Sequence, residues 1–339
     1  MFSFLIPVYN GEKYIRRCIE SILCQKDFDL EIIVYDDGST DKTIEILNEI
    51  KKIDNRVQIY SRPNKGLFLT RKDLLSKVNG DYFWFVDADD TISEDALKML
   101  DEKLSQNNYD VVFIDYNRID GNNCVVMKQI DQDYIGPTRI NSLLMNMVCS
   151  NCCNNAWNKI YKTSSIKDID IQKQGIRKVS MGEDLMWSVF LLAQVKSVGY
   201  LDIPLYNYYI IKNSMSRSFS IEKYKDYIIV RNNILKFLIS RNIQNRTLNQ
   251  YYSGIINEMV YRVYYYYSIC DLTDNDILKM IRLVKKEYRF LYGNVSISFC
   301  NISTINSWIL KGIFMNDKYV ITRIKLASIL LKMRNRFIR

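Results

Sequence analysis

Tyr82-Phe83-Trp84-Phe85-Val86 is an unbroken apolar run, and it stops on Asp87-Ala88-Asp89-Asp90. Five such residues make a strand. With no polar residue alternating, the strand reads as buried on both faces, as strands of a parallel sheet are. Ser93 then reads as the cap of a helix running to Leu104, with Glu94 and Asp95 in its first turn.

The same unit recurs upstream. Ser3 to Val8 is an apolar strand ended by the turn Tyr9-Asn10-Gly11. Glu12 to Cys24 has helical spacing, with Ile15, Cys18, Ile19, Ile22 and Leu23 on one face. Leu30 to Tyr35 is a second strand, stopping at Asp36-Asp37-Gly38-Ser39-Thr40-Asp41, and Thr43 to Ile53 is its helix. Val57 to Ser61, the loop Arg62-Pro63-Asn64-Lys65-Gly66 and a helix to Val78 complete a third. Four strand–helix alternations imply a doubly wound, mostly parallel α/β sheet. Ligands bind at the carboxyl edge of such sheets. The turn after Val8, the pair Asp36-Asp37 and the stretch Asp87 to Asp90 are therefore expected in one crevice.

Downstream, Asp110 to Tyr116 reads as another strand and Asn151 to Lys162 as a polar and aromatic stretch. Ser180-Met181-Gly182-Glu183-Asp184 opens an apolar helix to Ala193. Beyond Ile221 the pattern is helical to the end. The expected division is an α/β part over residues 1–215, with halves 1–105 and 106–215, and a helical region over 216–339.

Composition narrows the chemistry. None of the 339 residues is histidine. That excludes Ser-His-Asp triads, Cys-His dyads and histidine-ligated zinc, and leaves acid–base work to carboxylates, lysine, tyrosine or cysteine. The eight cysteines follow no secretory signal and read as reduced and mostly core, Cys149 and Cys152 included. No run of about 18 apolar residues marks a membrane span. The first 115 residues hold 15 basic and 22 acidic side chains, yet the whole chain is +9. An acidic front and a basic back suggest two surfaces with different partners.

Asp87, Asp89 and Asp90 repel one another unless a cation compensates, and hard carboxylate ligands suit magnesium or manganese. The alternative is a helix-start cluster, where acids are favoured anyway. Asp36-Asp37-Gly38-Ser39 reads either as a plain turn or as a ribose and base contact.

The order of these segments resembles family 2 glycosyltransferases of the GT-A fold. It is carried by Pro7-Val8-Tyr9-Asn10, Asp36-Asp37-Gly38-Ser39-Thr40-Asp41, Asn64-Lys65-Gly66 and Gly80-Asp81-Tyr82 leading to Asp87-Ala88-Asp89-Asp90. Trp157-Asn158-Lys159-Ile160-Tyr161 and Gly182-Glu183-Asp184 look like acceptor-side motifs of bacterial surface-polysaccharide members. The likeness covers about residues 1–215.

The resemblance implies an inverting transfer of a sugar from a UDP-sugar to a hydroxyl of a glycan or lipid-linked acceptor. It implies that Pro7, Tyr9 and Asn10 line the base pocket, and that Asp37 beside Asp36 contacts base and ribose. Asp87-Ala88-Asp89 is similar to the D-x-D element, with Asp87 by the ribose, diphosphate and metal, and Asp89 on a Mn2+ or Mg2+ ion. Arg71 falls where relatives place an arginine near the donor, although Thr70-Arg71-Lys72 stands where Ala-Arg-Asn is common. Asp184 matches the catalytic base, with Glu183 its neighbour. Ser214, Ser216 and Arg217 resemble a segment that closes over the diphosphate. Several relatives complete the metal shell with a histidine, which this chain lacks. Trp157, Asn158 and Lys159 are expected on the acceptor side, where Trp157 and the nearby tyrosines would give a sugar an apolar face, unless the ring is core.

From Lys318 the chain carries seven basic residues and no acidic one. Ile324, Leu326, Ala327, Leu330, Leu331 and Phe337 share one side of a helical wheel, and Lys325, Lys332, Arg336 and Arg339 the other; Arg323 and Arg334 break the apolar side, and Ile321 and Ile329 lie off it. That is the pattern of an interfacial helix on an anionic membrane, against a surface helix packed on its own domain. Expected partners are thus a nucleotide-sugar, a glycan or lipid-linked acceptor and the inner face of a cell membrane, with a cytoplasmic location and a homo-oligomer through the C-terminal helices. The acidic crevice argues against nucleic acid. The competing reading is a catalytically silent binding or assembly subunit.

Overall fold

The apolar runs fold into strands β1 (Phe2–Val8), β2 (Leu30–Asp36), β3 (Val57–Ser61) and β4 (Tyr82–Phe85). They pair in parallel in the order β3-β2-β1-β4. Helices α1 (Ile15–Leu23), α2 (Thr43–Ile53) and α3 (Leu67–Leu75) connect them. The computed structural model describes residues 1–150, 153–166, 179, 181–211, 220–240, 245–270, 272–292, 303–314 and 319–337.

Side chains alternate across the sheet, as strand geometry requires. Phe4, Ile6, Val8, Ile32, Val34 and Trp84 point into one core with α1, α2 and α4 (Ala96–Gln106). On the other face Phe85 meets Trp187 of α6 (Glu183–Leu192), which also packs on Phe68 of α3. α4 starts later than expected because Ser93 is tied elsewhere: its N–H donates to Leu205 and its hydroxyl to Pro204.

The rest of the sheet departs from the simple alternation. After β5 (Thr91–Ile92) come β6 (Val111–Asp120), β7 (Asn123–Met127), β8 (Tyr134–Ile135), helix α5 (Pro137–Ser150), β9 (Lys159–Lys162) and, after α6, β10 (Ser197–Tyr209). The order is β3-β2-β1-β4-β9-β6-β10-β5, with β7 paired to β6, β8 paired to β10, and β9 antiparallel to both its neighbours. The stretch read as polar and aromatic therefore ends in a central strand. β9 is four residues with a lysine at each end, so no apolar run announces it. β10 carries Pro204 and shifts register on either side of it, which hides its period.

This strand placement corrects the expected acceptor face. Trp157 is 3% exposed and lies flat on Tyr206 of β10, centroids 4.3 Å apart at 9°. Its carbonyl accepts the Trp84 indole N–H. Asn158 and Lys159 are fully buried, and the Lys159 ammonium donates to the carbonyls of Cys153 and Asn155 and to the Asn158 amide. A desolvated ammonium with these acceptors holds a loop in place. None of the three offers a surface to a sugar.

Contacts divide the chain into two compact units, one of residues 1–144 and 152–212, the other of 145–151 and 213–339. The second holds α7 (Ile221–Ser240), α8 (Asn245–Ile269), α9 (Asp274–Tyr292), α10 (Thr304–Phe314) and α11 (Val320–Phe337). Its interior is built around Arg231, which donates to the Val148 carbonyl and the Tyr227 hydroxyl, while Tyr251 donates to the Arg231 carbonyl. On α11, Ile324 and Ala327 are buried, whereas Leu326, Ile329 and Leu330 are exposed. The apolar side read from the wheel is thus divided: Ile324 and Ala327 are core, Leu326 and Leu330 are open, and the exposed Ile329 lies off that side. Among the described residues, no helix is long and apolar enough to cross a membrane.

Within the first unit a buried carboxylate ties three strands together. Glu31 on β2 accepts from Ser3 of β1, Gln58 of β3, and the backbone and side-chain amides of Asn79 ahead of β4. Burial alone would raise its pKa, but the donors outweigh burial and lower it. A lowered folded pKa gives stability that is complete above the unfolded value and lost as pH falls through the folded one. Glu31→Gln is expected to cost about 1–3 kcal/mol at neutral pH, because donors lose their acceptor. The gap to wild type should narrow in denaturant titrations below about pH 4, where the unfolded glutamate protonates. Trp157→Ala should cost about 3–5 kcal/mol. A mild effect on stability with a large rise in acceptor KM would return the ring to the binding surface.

Candidate active site

The turn after β1 and the turn after β2 are stitched edge to edge. The Asn10 N–H donates to Ser39 and its amide oxygen accepts the Thr40 N–H. Gly11 N–H donates to Thr43, and Glu12 and Asp41 exchange bonds across the seam with the N–H groups of Lys42 and Glu12. Pro7 is buried in β1, while Tyr9 beyond it is 53% exposed, an aromatic ring open at the carboxyl edge of the sheet.

Asp36 and Asp37 are both buried and both engaged. Asp36 accepts from the Ser39 N–H and the Ser61 hydroxyl, fixing its own turn. Asp37 accepts the N–H groups of Lys65 and Gly66 at 2.9 and 2.7 Å and pairs with Arg62. Gly38 follows the two aspartates at φ +79°, where a Cβ would come within 2.9 Å of the Asn64 nitrogen. Only glycine fits that approach. The acidic pair therefore clamps the 62–66 loop against the crevice.

Arg71 joins two acidic segments. Its guanidinium is fully buried and pairs with Asp87 at 3.1 Å and with Asp184. A buried guanidinium with one carboxylate on each side stays charged, and its pKa is raised against the desolvation that would lower it. Asp87 sits just past β4, and Asp184 in the first turn of α6, which starts from Gly182 in the left-handed region at φ +85°. Asp184 and Asp87 are thus held by one cation although 97 residues separate them in the chain. Beside them, burial raises the Glu183 pKa, then the Asp184 charge, with Arg71 opposing. Asp87 is raised by burial against the pull of Arg71, and Asp89 by burial.

The carboxylates after β4 divide. Asp90 points inward, accepting the Tyr206 hydroxyl at 2.8 Å and the Tyr209 N–H at 2.9 Å, and burial pushes its pKa up to about 9. It is therefore no ligand for an ion in the crevice. Ala88 packs against the core. Asp87 gives one oxygen to Arg71, and among the described residues no donor from another residue reaches the Asp89 carboxylate. Among the described residues, no group of three or more histidine, cysteine, aspartate or glutamate side chains could hold a metal. Two carboxylates still fit Mg2+ or Mn2+, ions that complete their shells with waters and substrate phosphates.

Tyr206, Tyr209 and Arg17 were not singled out from the sequence. Tyr206 also accepts the Asp87 N–H, and Arg17 lies over the Tyr209 ring and donates to the Asp89 carbonyl. The signal available was the aromatic run ending β10. Ser214, Ser216 and Arg217 lie outside the described residues.

Residues 3–164 match the family model described as Glycosyl transferase family 2. Glycosyltransferase GlyA of Streptococcus pneumoniae is 33% identical over 228 residues, covering 63% of this chain and 31% of that protein. Putative glycosyltransferase EpsH of Bacillus subtilis is 28% identical over 246 residues, covering 71% and 70%. This chain thus spans about a third of the first relative. TarS 1–349 of S. aureus, solved in complex with UDP-GlcNAc, superposes with a TM-score of 0.71 at 18% identity, covering 98% of this chain and 91% of that one. The parallel strands, the acidic turn at their carboxyl edge and the match over residues 3–164 agree: that segment is similar to family 2 glycosyltransferases, and the chain has the fold of TarS.

Proposed function

We propose that this domain transfers a sugar from a UDP-sugar, with inversion, to a hydroxyl of a glycan or lipid-linked oligosaccharide during synthesis of a bacterial surface polysaccharide. The observation that carries the reading is the buried Arg71, joined to Asp87 on one side and Asp184 on the other. A group suited to the donor and a group suited to the acceptor face one crevice. The S. aureus relative solved with UDP-GlcNAc and with UDP supports the choice of donor.

In this reading Tyr9 gives the base a ring to lie on, and the loop held by Asp37 borders it. Asp87 and Asp89 would hold Mn2+ or Mg2+, which would supply positive charge to the leaving diphosphate. Asp184 takes the acceptor proton through the oxygen that Arg71 leaves free. The acceptor oxygen bonds to the anomeric carbon as the bond from that carbon to the diphosphate breaks. The electron pair leaves with UDP, and one displacement inverts the centre. Arg71 fixes the spacing of the carboxylates. Ser214, Ser216 and Arg217 are assigned to the closing segment by resemblance alone.

The exposed Leu326, Ile329 and Leu330 stripe, on a helix without acidic residues, would rest on an anionic membrane. Removing α11 outright would strip Ile324 and Ala327 from the interior, so substitution is the cleaner test.

Asp184→Asn should lower turnover by about a hundred- to ten-thousand-fold, the usual worth of a general base, with UDP affinity nearly unchanged. Glu183→Gln should be milder. An inactive Glu183→Gln beside an active Asp184→Asn would exchange the two roles. A wild-type chain that neither transfers nor hydrolyses UDP-sugars with manganese would leave the silent-subunit reading standing. Replacing Leu326, Ile329 and Leu330 together by Gln should abolish co-flotation with phosphatidylglycerol vesicles. Unchanged flotation would remove the membrane from the account.

A further inference from the structure

The Asp87–Asp90 turn is gripped from outside at both ends, and both grips come from the last residues of β10. At the first end the Tyr206 hydroxyl accepts the Asp87 N–H at 3.1 Å and donates to Asp90 at 2.8 Å. The Tyr206 ring is fully buried and sandwiched by its stack on Trp157 and its contact with Trp84, so the hydroxyl has little freedom to move. At the other end the Tyr209 N–H donates to Asp90, and the Tyr209 ring lies 3.8 Å beneath the Arg17 guanidinium. Arg17 in turn donates to the Asp89 carbonyl at 2.7 Å. No other hydrogen bond between side chains joins β10 to this turn among the described residues. The two carboxylates facing the crevice, Asp87 and Asp89, thus hang on backbone that β10 holds at two points.

We propose that Tyr206 and the Tyr209–Arg17 stack are positioning residues, which present Asp87 and Asp89 as a pre-formed pair to a divalent cation and a nucleoside diphosphate. The inference rests on the reading that this turn holds the cation and the donor. The physical reason is specific. Two carboxylates repel, and an unheld turn would let them separate before a cation arrives. Groups behind a ligand orient it, and their loss commonly weakens metal binding about 10–100-fold. Phenylalanine at position 206 would keep the stack on Trp157 and remove only the hydroxyl. Arg17 is exposed, so Arg17→Gln removes the guanidinium over Tyr209 without disturbing the core, while the Tyr209 N–H stays on Asp90.

The test is UDP binding by calorimetry to the full chain, with Mn2+ and again with a chelator. In wild type Mn2+ should strengthen UDP binding. In Tyr206→Phe that manganese-dependent gain should shrink about tenfold or more, while binding in chelator stays near wild type. Arg17→Gln should shrink the gain in the same sense by a smaller factor. A purely structural role would lower the melting temperature yet leave the manganese gain intact in the folded protein, and that result overturns the proposal. If Tyr206→Phe does not fold, Arg17→Gln decides alone, and an unchanged gain there overturns it equally. Asp89→Asn separates the two layers. Should Asp89→Asn keep the full manganese gain, the cation reading fails and the positioning proposal falls with it. Should Asp89→Asn lose the gain while Tyr206→Phe and Arg17→Gln keep it, the cation reading stands and the positioning proposal alone is wrong.

Discussion

A guanidinium with no solvent exposure is the constraint on which the crevice depends. Taking a charge out of water costs several kcal/mol, and only close, well-placed partners return it. Arg71 finds them in Asp87 and Asp184, one past β4 and one at the start of α6. Neither acid is its neighbour in sequence, so the pairing exists only when strand and helix are both in place. Breaking one arm would leave a buried charge half-compensated, which costs more than the bond itself is worth. The core supplies the means: Trp187 of α6 packs on Phe85 and Phe68, and its indole donates to the Phe68 carbonyl. Apolar packing brings α6 to α3, and the ion pairs then fix the register of the two acidic segments.

Acids elsewhere along this edge do mechanical work. Asp36 and Asp37 accept backbone N–H groups from loops that have no strand partners of their own. A carboxylate can accept several bonds at once, so one side chain replaces much of a missing ladder. Asp90 does the same for the end of β10. The edge is acidic in part because turns between parallel strands and helices need acceptors.

The parts that sequence made legible are those with local signals. β1 and β4 are continuous apolar runs, and α1 buries Ile15, Cys18, Ile19 and Ile22 as its spacing demands. The crevice followed from topology, since polar clusters ended three of those strands. What stayed hidden depends on long-range pairing. β9 is too short to show a period, and its insertion between β4 and β6 is what buries Trp157, Asn158 and Lys159. The role of Trp157 was decided by Tyr206, a residue forty-nine positions away. In α11 the helix was legible, yet its spacing did not say which apolar residues met the interior. A helical wheel records spacing but not neighbours.

Charge balance carries the last step. Asp87, Asp89, Glu183 and Asp184 surround the crevice, with Arg71 as the cation paired to two of them. Burial and mutual repulsion raise Asp87 and Glu183, the response expected when carboxylates outnumber the positive charge available. A nucleoside diphosphate brings further negative charge into the same space. Its charge adds to that of these carboxylates unless protons or a cation offset it. Protonating these acids would remove the base that an acceptor hydroxyl needs, and the chain has no histidine to take the proton instead. Under the proposed function, a divalent cation on Asp89 would resolve the conflict, because it would neutralise the diphosphate while leaving Asp184 to accept the proton.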